Sequence, residues 1–169
     1  MGRLKTSIES IQDSVKSLIE TVSQLPDQTM QRRPAPEVWS ILEILCHVEE
    51  AVPYWANEIQ RVAASPGVEW GRGHQNEARL AAVAASSQRT AKDVVEGIQK
   101  STARAVAILG GLRDEDLAIE SPSRNPRFGT KPMSFILDHL LVAHLRGHLG
   151  QIHRNLEQLT AAGPATQRN

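Results

Sequence analysis

The chain has 169 residues, which is enough to bury the core of one domain, and we expect a single domain over residues 1–169. Its 19 basic and 19 acidic residues give a formal net charge of zero, so the sequence offers no electrostatic support for binding nucleic acid or an anionic membrane. The single Cys46 excludes an internal disulfide, and because the sequence has neither a signal-peptide core nor an apolar run of roughly 20 residues, we expect a soluble, cytoplasmic protein.

Two amphipathic helices are predicted in the first part of the sequence. Apolar residues at alternating spacings of four and three predict a first helix that ends at Pro26. These residues are Leu4, Ile8, Ile11, Val15, Leu18, Val22 and Leu25. A second helix is predicted to begin after Ser40, which forms a capping box with Glu43, and to run to about Ala64, with a kink at Pro53. Its inward residues are Ile41, Ile44, Leu45, Val48, Val52, Trp55, Ile59 and Val62.

A loop and a third helix are predicted next. Glycine and proline mark residues 65–74 as a loop, and the alanine-rich residues 78–85 predict either a short helix or the start of the third helix. The third helix is predicted to end at Gly110 and Gly111. Its buried stripe is Val94, Ile98, Ala105, Leu109 and Leu112.

The last part of the sequence predicts a long crossover loop and a fourth helix. Residues 121–132 contain enough helix breakers to form the loop. Thr130 is predicted to cap the fourth helix, with Pro132 in its first turn, and Gly163 and Pro164 are predicted to end it. The sequence shows no strand-like alternation and no internal repeat. We therefore expect an all-α fold, a four-helix bundle with a long crossover loop.

Two histidines in the most apolar part of the sequence indicate a binding site. His144 and His148 are four residues apart and point the same way from a helix, and Gln151 and Asn155 continue that line. Imidazoles beside a core face cost free energy unless they are hydrogen-bonded or coordinated, so two in register indicate a shared partner such as a divalent metal ion. His47 is a third candidate, because bundles build metal sites from inward side chains on facing helices. From the residues alone, three structural histidines with hydrogen-bond partners are the alternative.

The remaining histidines are predicted to lie outside that site. His139 and His153 point away from the histidine pair, toward solvent. His74 lies in a glycine-rich loop, where an ordinary exposed residue is expected rather than the cover of a pocket. Cys46 is rotated by about 100° from His47 and is predicted to be a small core residue, neither a ligand nor a nucleophile.

The order and spacing of these residues resemble a known family. The pattern W-S-x6-H from Trp39, followed by H-x3-H-x-G-Q-I from His144, resembles the DinB-like (YfiT-like) superfamily of four-helix-bundle metalloproteins. The resemblance runs from the first helix to the fourth. It implies that His47, His144 and His148 hold a divalent metal ion, zinc or nickel, with positions left open for water or substrate.

Three further residues are candidates to support the metal site. Gln151 lies one turn beyond His148, where it can orient that ligand or bond a metal-bound water. Tyr54 and Glu50 lie within about 60° of the direction of His47 and can face the pocket, although a charged residue on a helix flank is usually solvated.

A stripe of small residues on the fourth helix predicts the close approach of another helix, from this chain or from a second subunit. The stripe is Ala143, Gly147 and Gly150. Together with the family resemblance, it predicts a homodimer.

The metal site leads to three functional hypotheses for a small-molecule substrate. The resemblance favours a thiol S-transferase, in which the metal activates a low-molecular-weight thiol such as bacillithiol, mycothiol or glutathione for transfer to a small electrophile. A hydrolase that uses metal-bound hydroxide is the alternative, with Glu43, Glu50 and Glu58 as its only candidate bases. The third hypothesis is a non-catalytic, stress-linked metal-binding module or a structural metal.

The transferase hypothesis also predicts a groove whose cationic groups bind the carboxylates or sugars of the thiol. The loop residues that can line it are Arg72, Arg124, Arg127 and Lys131. No catalytic residue is assigned from the sequence.

Overall fold

The computed structural model describes residues 2–163 and is mostly helical. The helices are Arg3–Ser23 (α1), Asp27–Gln31 (α2), Ile41–Ala64 (α3), Glu77–Ala84 (α4), Ala91–Gly110 (α5), Met133–Phe135 (α6) and Ala143–Ala161 (α7). The remaining elements are a π-helical stretch at Ile136–Val142, 3₁₀ turns at Ala85–Gln88 and Asp114–Ala118, and two strands, Glu120–Pro122 (β1) and Thr130–Pro132 (β2). The π-helical stretch joins α6 to α7 without a break, so residues 133–161 form the fourth long helix.

The long helices form the predicted four-helix bundle. Helix α3 packs against α5 and α7, and α1 packs against the same two helices, so α1 and α3 are diagonal in the bundle. Five of the seven apolar residues predicted for the first helix are buried. Ile8, and Leu25 just beyond the end of α1, pack on the core while partly exposed. The predicted fold class is therefore confirmed. No helix within residues 2–163 has the length and hydropathy needed to cross a bilayer.

The capping box predicted for the second helix is present at the start of α3. The backbone N–H of Glu43 donates to Ser40 Oγ at 3.1 Å, and the backbone N–H of Ser40 donates to Glu43 Oε2 at 2.7 Å. Arg33 also pairs with the Glu43 carboxylate. The helix ends at Ala64, as predicted, with Pro53 inside it. These bonds fix the first turn of the helix that carries His47.

Replacing Ser40 with alanine is expected to destabilise the protein by about 1 kcal/mol, because the N–H of Glu43 loses its acceptor at a buried helix end. Chemical denaturation measures this change. Ser17→Ala is the matched control, since Ser17 lies exposed inside α1 and its hydroxyl caps nothing. An equal loss in both variants would contradict the capping role.

The start of the fourth helix differs from the prediction. Thr130 does not cap it; Thr130 belongs to β2, which pairs antiparallel with β1 from Glu120 opposite Pro132 to Pro122 opposite Thr130. Pro132 is the residue before the helix, which begins at Met133. The expected crossover loop therefore contains a hairpin of two three-residue strands, too short to give a readable alternation of apolar and polar residues.

The hairpin holds the loop before α4 in place through Trp70. The N–H of Trp70 donates to the Pro122 carbonyl at 3.0 Å, and the Trp70 carbonyl accepts from the Arg124 N–H at 2.8 Å. The indole Nε1 donates to the Ser121 carbonyl at 2.8 Å, and the ring is fully buried. This attachment fixes the backbone on which Arg72 lies.

The remaining predicted boundaries agree closely with the structure. Helix α5 ends at Gly110 with Gly111 as its cap, and α4 is a separate short helix, one of the two predicted alternatives. The fourth helix ends at Ala161, close to the predicted end at Gly163; Pro164 lies outside the described residues.

Candidate metal centre

The three predicted histidines meet where α3 packs against α7. His144 Nε2 lies 3.3 Å from His47 Nε2 and 2.9 Å from His148 Nε2. One nitrogen from each ring lies within 4.8 Å of the other two. The π-helical stretch that the sequence analysis missed ends immediately before Ala143, so it sets the rotation at which both α7 histidines face α3.

The spacing of the three nitrogens fits a single divalent ion. Metal–nitrogen bonds of 2.0–2.1 Å at a tetrahedral angle put ligand nitrogens about 3.4 Å apart. The separation of 3.3 Å between His47 and His144 matches that value, the 2.9 Å between His144 and His148 is about 0.5 Å shorter, and His47 and His148 lie within 4.8 Å of each other. Imidazole nitrogen suits zinc, nickel and copper, and three protein ligands leave at least one coordination position open.

Gln151 sets the tautomer of His148. The Gln151 Oε1 lies 3.0 Å from His148 Nδ1, and an amide oxygen accepts a hydrogen bond, so Nδ1 carries the proton. The lone pair of His148 is then on Nε2, which faces His144. Gln151 thus has the geometry predicted for it, in contact with a candidate ligand.

The environment keeps the three imidazoles neutral. Burial lowers the pKa of His47 to about 2 and that of His144 to about 3, and the neighbouring imidazoles add to both shifts. Burial also lowers the pKa of His148, although its bond to Gln151 opposes the shift. The neutral imidazole is the form that binds metal ions, so the site is ready for one at neutral pH.

One side of the site is closed by Trp39. Its ring centroid lies 5.4 Å from that of His47, which is only 3% exposed. Asn155, buried on α7, donates from Nδ2 to the Trp39 carbonyl at 2.7 Å. Asn155, which lies on the same face of α7 as His144 and His148, therefore holds Trp39 against His47 through this hydrogen bond.

Glu50 and Tyr54 contact Arg72 rather than the histidines. Arg72 Nη1 donates to Glu50 Oε1 at 2.6 Å, Nη2 donates to Oε2, and the guanidinium lies 3.7 Å above the centroid of the Tyr54 ring. Burial raises the pKa of Tyr54 to about 12, so the phenol stays protonated at neutral pH. Among residues 2–163 no hydrogen bond joins either side chain to His47.

The other predicted groove residues are spread more widely. Arg124 donates to the Gly71 carbonyl at 3.2 Å and lies 3.7 Å from Glu58. Arg127 is exposed, and Lys131 lies over the Phe135 ring. Arg72, in contrast, lowers the pKa of His47 and of His144.

Sequence reasoning missed Arg79. Its guanidinium lies 5.0 Å from the centroid of the Trp39 ring, on the residue that covers His47, and Nη1 donates to the His74 carbonyl at 2.9 Å. Arg79 lowers the pKa of all three imidazoles. The available signal was that Arg79 is the only charged residue in the alanine-rich segment 78–85.

The residues predicted to lie outside the site do so. His74, His139 and His153 are exposed and do not belong to the cluster. Cys46 is buried, and burial raises the pKa of its thiol to about 11.

Two of the three residues in the stripe of small residues are exposed in the described part of this chain. These are Ala143 and Gly147, and apart from its own helix backbone no atom lies within 4 Å of the point where a side chain at Gly147 would begin. Gly150 is half-buried, with Arg154 Nη1 at 3.4 Å from the corresponding point. The predicted homodimer remains a prediction.

Solved structures with this fold include proteins associated with metals and thiols. YfiT from Bacillus subtilis, described as a probable metal-dependent hydrolase with an unusual four-helix bundle topology, is 13% identical over 92% of this chain and 87% of its own, with a TM-score of 0.76. The mycothiol-dependent maleylpyruvate isomerase is 15% identical over 88% of this chain, with a TM-score of 0.69; the match spans only 60% of the isomerase.

A conserved protein from Enterococcus faecalis is 13% identical, with a TM-score of 0.71, and the match covers 95% of this chain and 99% of that one. Identities this low support the shared fold alone. No curated protein matches the sequence. The sequence model of the DinB superfamily matches residues 11–152, a range that includes all three clustered histidines, and the chain therefore belongs to the DinB superfamily.

Proposed function

We propose that this protein is a divalent-metal-dependent thiol S-transferase that acts on a small electrophile. The observation that carries the proposal is a group of three neutral imidazoles that, within residues 2–163, includes no carboxylate. His47, His144 and His148 would hold the ion, and Gln151 would orient His148.

The three carboxylates that could serve a hydrolase as general base are each occupied. Glu43 caps α3 and pairs with Arg33. Glu50 pairs with Arg72 through both oxygens. Glu58, which is buried, accepts two hydrogen bonds from Arg61 and one from the Gly71 N–H at 2.6 Å. A carboxylate that already pairs with a guanidinium is poorly placed to take a proton from water.

A thiol needs less help from the protein than water does. Free thiols have pKa values of about 8.5, whereas that of water is about 15.7. A divalent ion, if held by His47, His144 and His148, would lower the pKa of a thiol bound to it further. In the transfer, the thiol gives its proton to solvent and its sulfur bonds to the electrophilic carbon. The leaving group departs with the electron pair of the broken bond.

The structural neighbours support both this proposal and its alternative. The isomerase is mycothiol-dependent by name, which favours a thiol co-substrate for this fold. YfiT is described as a probable metal-dependent hydrolase, which favours a hydrolase as the second candidate.

The experiment compares two assays on zinc-loaded and nickel-loaded protein. Conjugation of monochlorobimane is measured with bacillithiol, mycothiol and glutathione in turn, and hydrolysis of p-nitrophenyl acetate is measured without thiol. We expect metal-dependent conjugation above the uncatalysed thiol reaction, abolished by a chelator. Ester hydrolysis with no conjugation would instead identify a hydrolase. Neither activity, together with a large fall in Tm on chelation, would identify a structural metal.

A further inference from the structure

Arg79 is a cation without a partner charge beside the three-histidine group. Within residues 2–163 its side chain forms no salt bridge; its contacts are the Trp39 ring and the His74 carbonyl. Partial burial and the nearby Arg72 both lower the pKa of Arg79. A guanidinium that is partly desolvated and unpaired costs free energy, which an anionic ligand would offset.

Arg72, unlike Arg79, is paired with a carboxylate. The Arg72 side chain is only 8% exposed, and Glu50 neutralises it with two hydrogen bonds. Glu50 is the acid that acts on Arg79 electrostatically, but both of its oxygens are already bonded by Arg72. The pair is therefore neutral, and the charge of Arg79 is free to attract a ligand.

The site as a whole favours an anion. The group contains imidazoles and no anionic ligand, so a divalent ion held there and Arg79 together would leave the site positive. The Arg79 guanidinium lies 5.0 Å from the centroid of the Trp39 ring, and that ring lies 5.4 Å from the His47 ring at an angle of 59°, so one aromatic side chain lies between the cation and a candidate ligand. A planar guanidinium pairs with a carboxylate through two parallel hydrogen bonds.

We infer that Arg79 binds a carboxylate of the substrate while the reacting atom lies at the three-histidine centre. This inference rests on the proposed function and specifies it: one of the two reactants carries a carboxylate. That reactant is either the thiol or the electrophile, and the experiment separates the two sources.

The test is isothermal titration of metal-loaded and chelator-treated protein with succinate, after elemental analysis has measured the metal content. Arg79→Gln is expected to weaken succinate binding about tenfold or more without changing the metal content. Arg79→Lys keeps the charge but cannot form two parallel hydrogen bonds. Its affinity for succinate is expected to lie between that of the wild type and that of Arg79→Gln. Arg104→Gln is the matched control, because Arg104 is exposed on α5 and forms no salt bridge within the described residues; its affinity should stay within twofold of the wild type.

Kinetic assays with the neutral electrophile monochlorobimane then show whether the thiol or the electrophile carries the carboxylate. If Arg79→Gln raises the KM for 3-mercaptopropionate but not for uncharged 2-mercaptoethanol, the thiol carries the carboxylate. If succinate binding falls while both KM values stay unchanged, the electrophile carries it.

Metal retention tests the proposed function, whereas succinate binding tests the role of Arg79. Absence of retained metal would overturn the proposed function, and succinate binding to the chelator-treated protein would still test Arg79. Equal succinate affinity in the wild type and Arg79→Gln, or no succinate binding by the wild type in either state, would overturn the role of Arg79.

Discussion

The His148→Ala variant is expected to retain metal at least about tenfold more weakly than the wild type, with nearly unchanged helical content. Loss of an outer hydrogen-bond partner alone costs a site roughly 10–100-fold in metal affinity, and His148 would be a direct ligand. Its Nε2 lies 2.9 Å from that of His144, so alanine removes one of three converging nitrogens. Elemental analysis after dialysis against a competing chelator measures retention, and circular dichroism measures helicity.

His153→Ala is the matched control for this result. His153 lies on the same helix, five residues further on, but is exposed and outside the cluster. It should hold metal as the wild type does. Equal retention by His148→Ala and the wild type would remove His148 from the site, and equal losses in both variants would indicate a general effect on α7.

The free energy of unfolding of the metal-free protein is expected to fall by at least about 3 kcal/mol between pH 6.5 and pH 5. Burial holds the pKa of His47 at about 2 and that of His144 at about 3 in the folded protein, whereas both would titrate near 6.5 when unfolded. Between these values the unfolded chain binds protons that the folded chain excludes. The contribution is therefore fully present above pH 6.5 and is lost as the pH falls.

Urea denaturation at a series of pH values measures this slope. His144→Gln, which has no group to protonate at that position, should reduce this slope by about half, because His144 is one of the two groups whose pKa values are lowered most. His153→Gln, an exposed substitution on the same helix, should leave it unchanged. A His144→Gln variant as acid-sensitive as the wild type would show that the loss of stability arises elsewhere in the protein.

The features that sequence predicted well depend on local spacing. Ser40 and Glu43 lie three residues apart, which is enough to define a capping box, and His144 and His148 share a face because a helix repeats every 3.6 residues. Gln151 follows from the same periodicity. His47 became a candidate from the general geometry of helical bundles and the family resemblance supported it, because no local spacing rule relates it to residues about a hundred positions away.

The features that sequence did not predict depend on tertiary contacts. Thr130 looks like a helix cap from its neighbours, but pairing with β1 draws it into a strand. Arg72 reaches Glu50 only because Trp70 attaches its loop to the hairpin. Arg79 lies beside the centre because α4 packs against α3, and no spacing rule relates a residue in that short helix to Trp39.

The division of the three imidazoles between α3 and α7 bears on how the protein matures. A ribosome-bound chain that has not yet emerged as far as residue 144 offers a single nitrogen ligand, His47, at this centre. One imidazole binds a divalent ion far more weakly than three converging ones. An ion held by all three imidazoles would therefore bind only after the last long helix has docked against α3, and a nascent chain that ends before residue 144 would compete poorly for metal.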